Sequence, residues 1–137
     1  MPINKNVTLE MFMAQNAAQP AQKDFVVSER FKDADGQPIP WKLHAISGSR
    51  DAQLRRECSQ GAKFDNIKYV TLLAAATVRA PDLKSAALQD SYHAHGEAEL
   101  LEKMLTAAEL NQLTIQVQIV NGYVKDVDDL IAQAKNL

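Results

Sequence analysis

A chain of 137 residues is about one ordinary domain, and at that length a folded protein buries roughly 68% of the surface its unfolded form exposes. Its composition is that of a soluble globular protein, 46% hydrophobic and 23% charged, with mean hydropathy −0.27. A net charge of −2 gives neither the basic stripe of a nucleic-acid module nor a polybasic membrane anchor. The single cysteine, Cys58, excludes an intrachain disulfide framework and fits a reducing compartment. The opening MPINKNVTLE lacks the apolar run of a secretory signal, and the most apolar stretch, 69–78, is half the roughly 20 residues a membrane span needs.

In chain order, Thr8 is expected to cap a short helix to Asn16, with Leu9, Phe12 and Met13 on one face. The connector AAQPAQ follows, with Pro20 as a helix stop, so that residues 1–22 form a short helix and flexible connector. Residues 24–31 and 39–45 alternate in polarity and flank KDADGQP, which predicts a hairpin over 24–45 with a loop longer than two residues. Pro38 and Pro40 cannot donate ladder bonds, which puts the start of the second strand at an edge. An isolated hairpin is marginal, so Phe25, Phe31 and Trp41 must lie on helices or on a neighbouring subunit.

From residue 47 the pattern is helical: 49–60 before Gly61, 65–79 capped by Asp65, a short segment at 85–94, and 97–105 after Gly96. The second of these puts Ile67, Val70, Leu73, Ala74 and Thr77 at helical spacing, and Pro81 ends it. Thr106 and Glu109 form a capping box that starts a helix through Val120, closed by Asn121-Gly122. A last helix runs from about Asp126 to Lys135. The expected fold is α+β and predominantly α-helical, an N-terminal β-hairpin followed by about five helices, with residues 23–137 as a single globular domain.

Chemistry is sparse. His93 and His95 stand near Glu97 and Glu99, but i and i+2 in a helix lie about 200° apart, and no second ligand cluster has zinc spacing. Two exposed histidines at a helix end are the better reading. Asp33-Ala-Asp35-Gly36 resembles part of a calcium loop, yet Lys42 stands where the bidentate Glu is required. Cys58 has no surrounding catalytic signature, and the five glycines are too scattered for a phosphate loop. No catalytic, metal-binding or cofactor-binding residues are assigned. The remaining class works by contact, with Trp41, Tyr92 and Tyr123 as candidate protein-contact anchors; core burial of all three is the competing account.

Four blocks occur together in order: SERFKDADGQPIPWKL at 28–43, LRRECSQ at 54–60, PDLKSAALQDSYHAHGEAELLEKML at 81–105 and VNGYVKDVDDLIAQAKN at 120–136. In this the chain resembles the XkdN-like phage tail assembly chaperones. His93-Ala-His95 is a more histidine-rich stretch than the family leads one to expect. The resemblance implies a non-catalytic protein of the host bacterial cytoplasm, absent from the mature virion. Its implied partner is the tape-measure protein, kept soluble while the tail tube polymerises, with the tail-tube protein as a further partner. The chain could also form a homo-oligomer. The alternative is a structural tail component or tube adaptor retained in the particle. Such genes often yield a longer frameshifted product, and Ala134-Lys-Asn136 is what a slippery A-AAA-AAC would encode; Lys-Asn equally suits a helix end.

Overall fold

Trp41 and Leu43 are buried while Lys42 between them is exposed, and this alternation sets the face of a small sheet. The computed structural model describes residues 6–136; residues 1–5 of the expected N-terminal segment, and Leu137, lie outside them. In chain order the elements are β1 (Gln22–Phe25), β2 (Trp41–His44), α1 (Gly48–Glu57), β3 (Ser59–Gln60), β4 (Lys63–Phe64), α2 (Asn66–Thr77), β5 (Val78–Ala80), α3 (Ala86–Ser91), α4 (Glu97–Met104), α5 (Ala107–Val120) and α6 (Val127–Lys135). The helix-rich α+β class is therefore as the sequence indicates. Asp65 caps α2 and the Thr106–Glu109 capping box is complete, as expected, and the side chains of Ser47, Ser85 and Asp126 likewise each accept a first-turn amide.

The sheet differs in detail. β1 and β2 pair antiparallel from Gln22–His44 to Phe25–Trp41, so the first strand starts and ends earlier than the alternation over 24–31 predicts. Past Phe25 the chain leaves the ladder, because local bonds compete for its backbone. The Ser28 hydroxyl accepts the Arg30 amide at 3.1 Å, and Arg30 then reaches the Met104 carbonyl at 2.7 Å. Pairing resumes at one bridge, Lys32–Pro38, beyond which the Asp33 carboxylate accepts the amides of Asp35 and Gln37. The calcium-like stretch is a hydrogen-bonded turn.

Two further strand pairs interrupt the region read as helical. β3 and β4 form a minimal hairpin around Gly61, whose φ of +61° is one glycine adopts readily. β5 continues α2 directly and pairs antiparallel with β2, giving the sheet order β1-β2-β5. Three and two residues carry no measurable periodicity, so such strands are silent in the sequence. Leu73, Ala74 and Thr77 of α2 are buried as predicted, but the core face departs at its start, where Ile67 is 82% exposed and Tyr69 is buried in its place. The tyrosine is drawn inward by α1, where its hydroxyl donates to Asp51.

Leu43, Leu54, Leu100, Leu101, Leu113 and Val117 form the driest part of the core, where sheet, α1, α4 and α5 meet around α2. Phe25 and Phe31 pack half-buried against it, and Trp41 lies inside it. Two long-range links fasten the N-terminal hairpin to α5: Lys23 Nζ donates to Gln116 Oε1 at 2.5 Å, and Arg30 pairs with Glu109 at 2.6 Å. Ahead of the sheet, the expected Thr8-capped helix is instead two 3₁₀ turns, Leu9–Phe12 and Ala14–Asn16, and Thr8 makes no capping bond. Every residue from 6 to 24 is exposed, and so short a segment has no tertiary packing to offset helix nucleation.

Candidate protein-contact site

The structure brings two of the three candidate anchors together. Trp41, from the central strand, and Tyr92, at the C-terminal end of α3, line one groove of about 280 Å³. Ile39 and Pro40 form its rim, because the proline has no amide to donate and the chain enters β2 from outside the ladder. Phe31 and Met104 complete walls that are almost wholly apolar. Trp41 is only 2% exposed, so it is a floor and a core residue rather than a protruding anchor. Tyr92 is half-buried, and Ile39, which the sequence reading passed over, is 42% exposed.

The groove's geometry is held from behind by ion pairing. The Phe31 ring lies 6.3 Å from Trp41, and the Arg30 guanidinium sits 5.2 Å over the Phe31 ring. Arg30 donates to both Glu109 oxygens. That contact, followed by bonds from Ser28 and the Thr106 amide, lowers the Glu109 carboxyl to a pKa of about 2. One residue thus serves two elements: Glu109 closes the α5 capping box and fixes the loop behind the groove.

Tyr123 stands apart from the other two. It is 49% exposed beside a second groove of about 360 Å³, whose walls include Arg55, Asn66, Tyr69 and Gln118. Here Arg55 Nε donates to Asp51 at 2.7 Å, its guanidinium lies 4.6 Å over the Tyr69 ring, and the Tyr69 hydroxyl donates to Asp51. Burial, then the bond to Asp51, pushes the Tyr69 hydroxyl far above the usual phenol range. Burial opposes ionisation of Asp51, but bonds from Tyr69 and Arg55 outweigh it and hold the carboxyl below its usual value. The hydroxyl therefore stays protonated, and the trio is a latch between α1 and α2.

Other reactive side chains have local structural roles. Cys58 is buried, and that burial raises its pKa, so the thiolate is disfavoured. His93 has a left-handed backbone, φ 54°, and its carbonyl accepts Lys103 Nζ at 2.6 Å. Among the described residues no three His, Cys, Asp or Glu side chains converge as a metal site, and no helix is long and apolar enough to cross a membrane. The N-terminal apolar series expected on one face, Leu9, Phe12 and Met13, is exposed, with Leu9 at 80% and Phe12 at 73%.

The chain is thus a small helix-rich α+β protein whose distinctive surface feature is an apolar groove beside the central strand. It belongs to the family of phage XkdN-like tail assembly chaperone proteins, whose family model matches residues 9–135. It is 28% identical over 149 residues to the phage-like element PBSX protein XkdN of Bacillus subtilis (strain 168), covering 97% of each chain. It is 24% identical over 139 residues to the protein YqbN of the same organism, covering 93% of each. The crystal structure of YqbN superposes with a TM-score of 0.78 at 23% identity, covering 86% of this chain and 98% of that one, which establishes the shared fold. The family role, tail assembly chaperone, is non-enzymatic.

Proposed function

We propose that this protein is a holdase for the tape-measure protein, acting in the host bacterial cytoplasm during tail-tube polymerisation. The observation that carries this reading is the open groove of Phe31, Ile39, Trp41, Tyr92 and Met104, almost wholly apolar and preshaped by the Arg30–Glu109 pair. A tape-measure chain is long and helical, and its apolar stripes aggregate if left uncovered. A groove of this kind receives an amphipathic helix by its i, i+3, i+4 side chains without backbone pairing. Occupancy shields the client, and polymerising tube subunits displace the chaperone by competing for the same stripes.

The test is coexpression of tape-measure fragments with the parent protein and with Ile39→Glu, read as the soluble fraction of the client. Ile39 is a rim residue, so its thermal unfolding should match the parent's. The client should be soluble with the parent and aggregate with the variant. Equal client solubility with and without the parent protein removes the holdase reading. Mass spectrometry of purified particles distinguishes an assembly factor, which is absent, from a tail component or tube adaptor, which is retained.

A further inference from the structure

The segment ahead of the sheet carries the makings of a helix that it does not form. Thr8 already has the extended backbone of a cap, φ −122° and ψ 159°, yet its side chain accepts no amide. Behind it Leu9, Phe12 and Met13 stand at i, i+3 and i+4, which one turn of α-helix would bring to a single face. That turn is interrupted at Met13, whose ψ of 150° separates the two 3₁₀ turns. Val7, Leu9, Met11, Phe12 and Met13 are all left exposed to water. So dense an apolar run marks a contact surface.

The groove over Trp41 is a complementary surface within reach. It is almost wholly apolar, holds about 280 Å³, and opens at the exposed rim residue Ile39. Residues 17–21 join Asn16 to β1 and span up to about 18 Å when extended. β1 itself runs about 10 Å from Gln22 to Phe25, which pairs with Trp41 at the groove floor. So short a tether holds the segment at an effective concentration on the order of 1 mM, which favours it over a second copy as occupant. The larger cleft beside Pro20 is rimmed by Arg50, Arg79, Asp82, Lys84 and Glu97. Three apolar side chains there would strip water from charges without pairing them.

We propose that residues 8–16 fold into the groove as a helix capped by Thr8, with Leu9, Phe12 and Met13 against Ile39, Trp41 and Tyr92. On the holdase reading, on which this role rests, the segment mimics the client and covers the groove until a client helix displaces it. Packing in the groove offsets the nucleation cost that the free segment cannot meet. Three side chains make a weak contact, so docked and open states are comparably populated and the apparent client affinity falls about twofold.

NMR of the full chain tests the docking with no client present. The parent should show NOEs from the Phe12 ring to the Ile39 methyl groups. Ala14→Pro separates a docked helix from unspecific apolar contact. Its ring clashes with the Glu10 carbonyl of a helix, whereas the extended Met13 backbone before it suits the open state. All three stripe residues remain, yet the NOEs should vanish while the signals of the buried Leu100 and Leu113 stay in place. A parent without these NOEs overturns the proposal, as do NOEs that persist in Ala14→Pro. NOEs found only between differently labelled copies in a mixture also overturn it, since the contact would then be made in trans. In calorimetric titration with a tape-measure fragment, Ala14→Pro should bind about twofold more tightly than the parent. Equal affinity overturns the competitive role. A fragment bound by neither protein fails the holdase reading instead, and the NOEs alone then decide the docking.

Discussion

Replacing Asn121 with alanine tests how the end of α5 (107–120) is tied to the rest of the molecule. Asn121 Oδ1 accepts the Ile46 amide at 2.9 Å, and its Nδ2 donates to Thr77 Oγ1 at 3.0 Å and to the Val117 carbonyl at 2.9 Å. Val117 O also accepts the Asn121 backbone amide, so it keeps a partner in the variant. Two groups lose theirs. The Ile46 amide is left without an acceptor in a partly buried loop, at a cost of about 1–3 kcal/mol. Thr77 is fully buried; it still donates to the Leu73 carbonyl but loses its incoming bond, about 1 kcal/mol more. The expected destabilisation is therefore about 2–4 kcal/mol, a fall in urea midpoint of about 1–2 M at a slope of about 2 kcal/mol per M. Asn121→Asp keeps the acceptor for Ile46 and should cost less. Adding Thr77→Val to Asn121→Ala should cost less than the sum of the single changes, because both break one bond. A urea midpoint for Asn121→Ala within about 0.2 M of the parent, or equal damage from Asn121→Asp, would refute this account of the joint.

The acid limb of stability should depend on Glu109. Its carboxyl titrates near a pKa of about 2 in the folded protein, against an ordinary value of 4.5. Its contribution is therefore complete above pH 4.5 and is lost as pH falls toward about 2. Glu109→Gln should melt lower than the parent at pH 7, and the gap between them should close across that window; a pH-independent gap contradicts the assignment. Burial separates the effects of two substitutions at large apolar residues. Leu100→Ala, at a site with no exposure, should cost about 2.7–5.0 kcal/mol in chemical unfolding. Phe12→Ser, in the uncovered N-terminal series, should change stability by less than about 0.5 kcal/mol.

The parts of the fold legible in the sequence are those governed by nearest neighbours along the chain. Thr106 and Glu109 specify their reciprocal bonds through spacing alone, as Asp65 and Asp126 specify their caps. The Asp33 turn is likewise local. Residues whose placement is decided at a distance were not legible. Val27 and Ser28 continue an alternating pattern, but Arg30 is claimed by Glu109 and Met104, and the strand stops at Phe25. Asn121 was readable as a helix stop, whereas its side chain's hold on Ile46 and Thr77 depends on tertiary approach. At the contact site, aromatic identity drew attention to Trp41 and Tyr92, which do share a groove. It gave no sign that the tryptophan faces inward, or that the neighbouring Ile39 carries the accessible surface.

The sheet order has a consequence for synthesis. The central strand, Trp41–His44, leaves the ribosome early, yet its second neighbour, Val78–Ala80, emerges more than thirty residues later. The bonds from Lys23 and Arg30 must wait longer still, for Gln116 and Glu109. Cotranslational folding can thus produce isolated helices and a frayed hairpin, but the joined domain forms only after α5 clears the exit tunnel. Translation through α5 is a commitment point for the nascent chain. Because α6 buries no residue, sequence appended beyond it leaves that closure undisturbed.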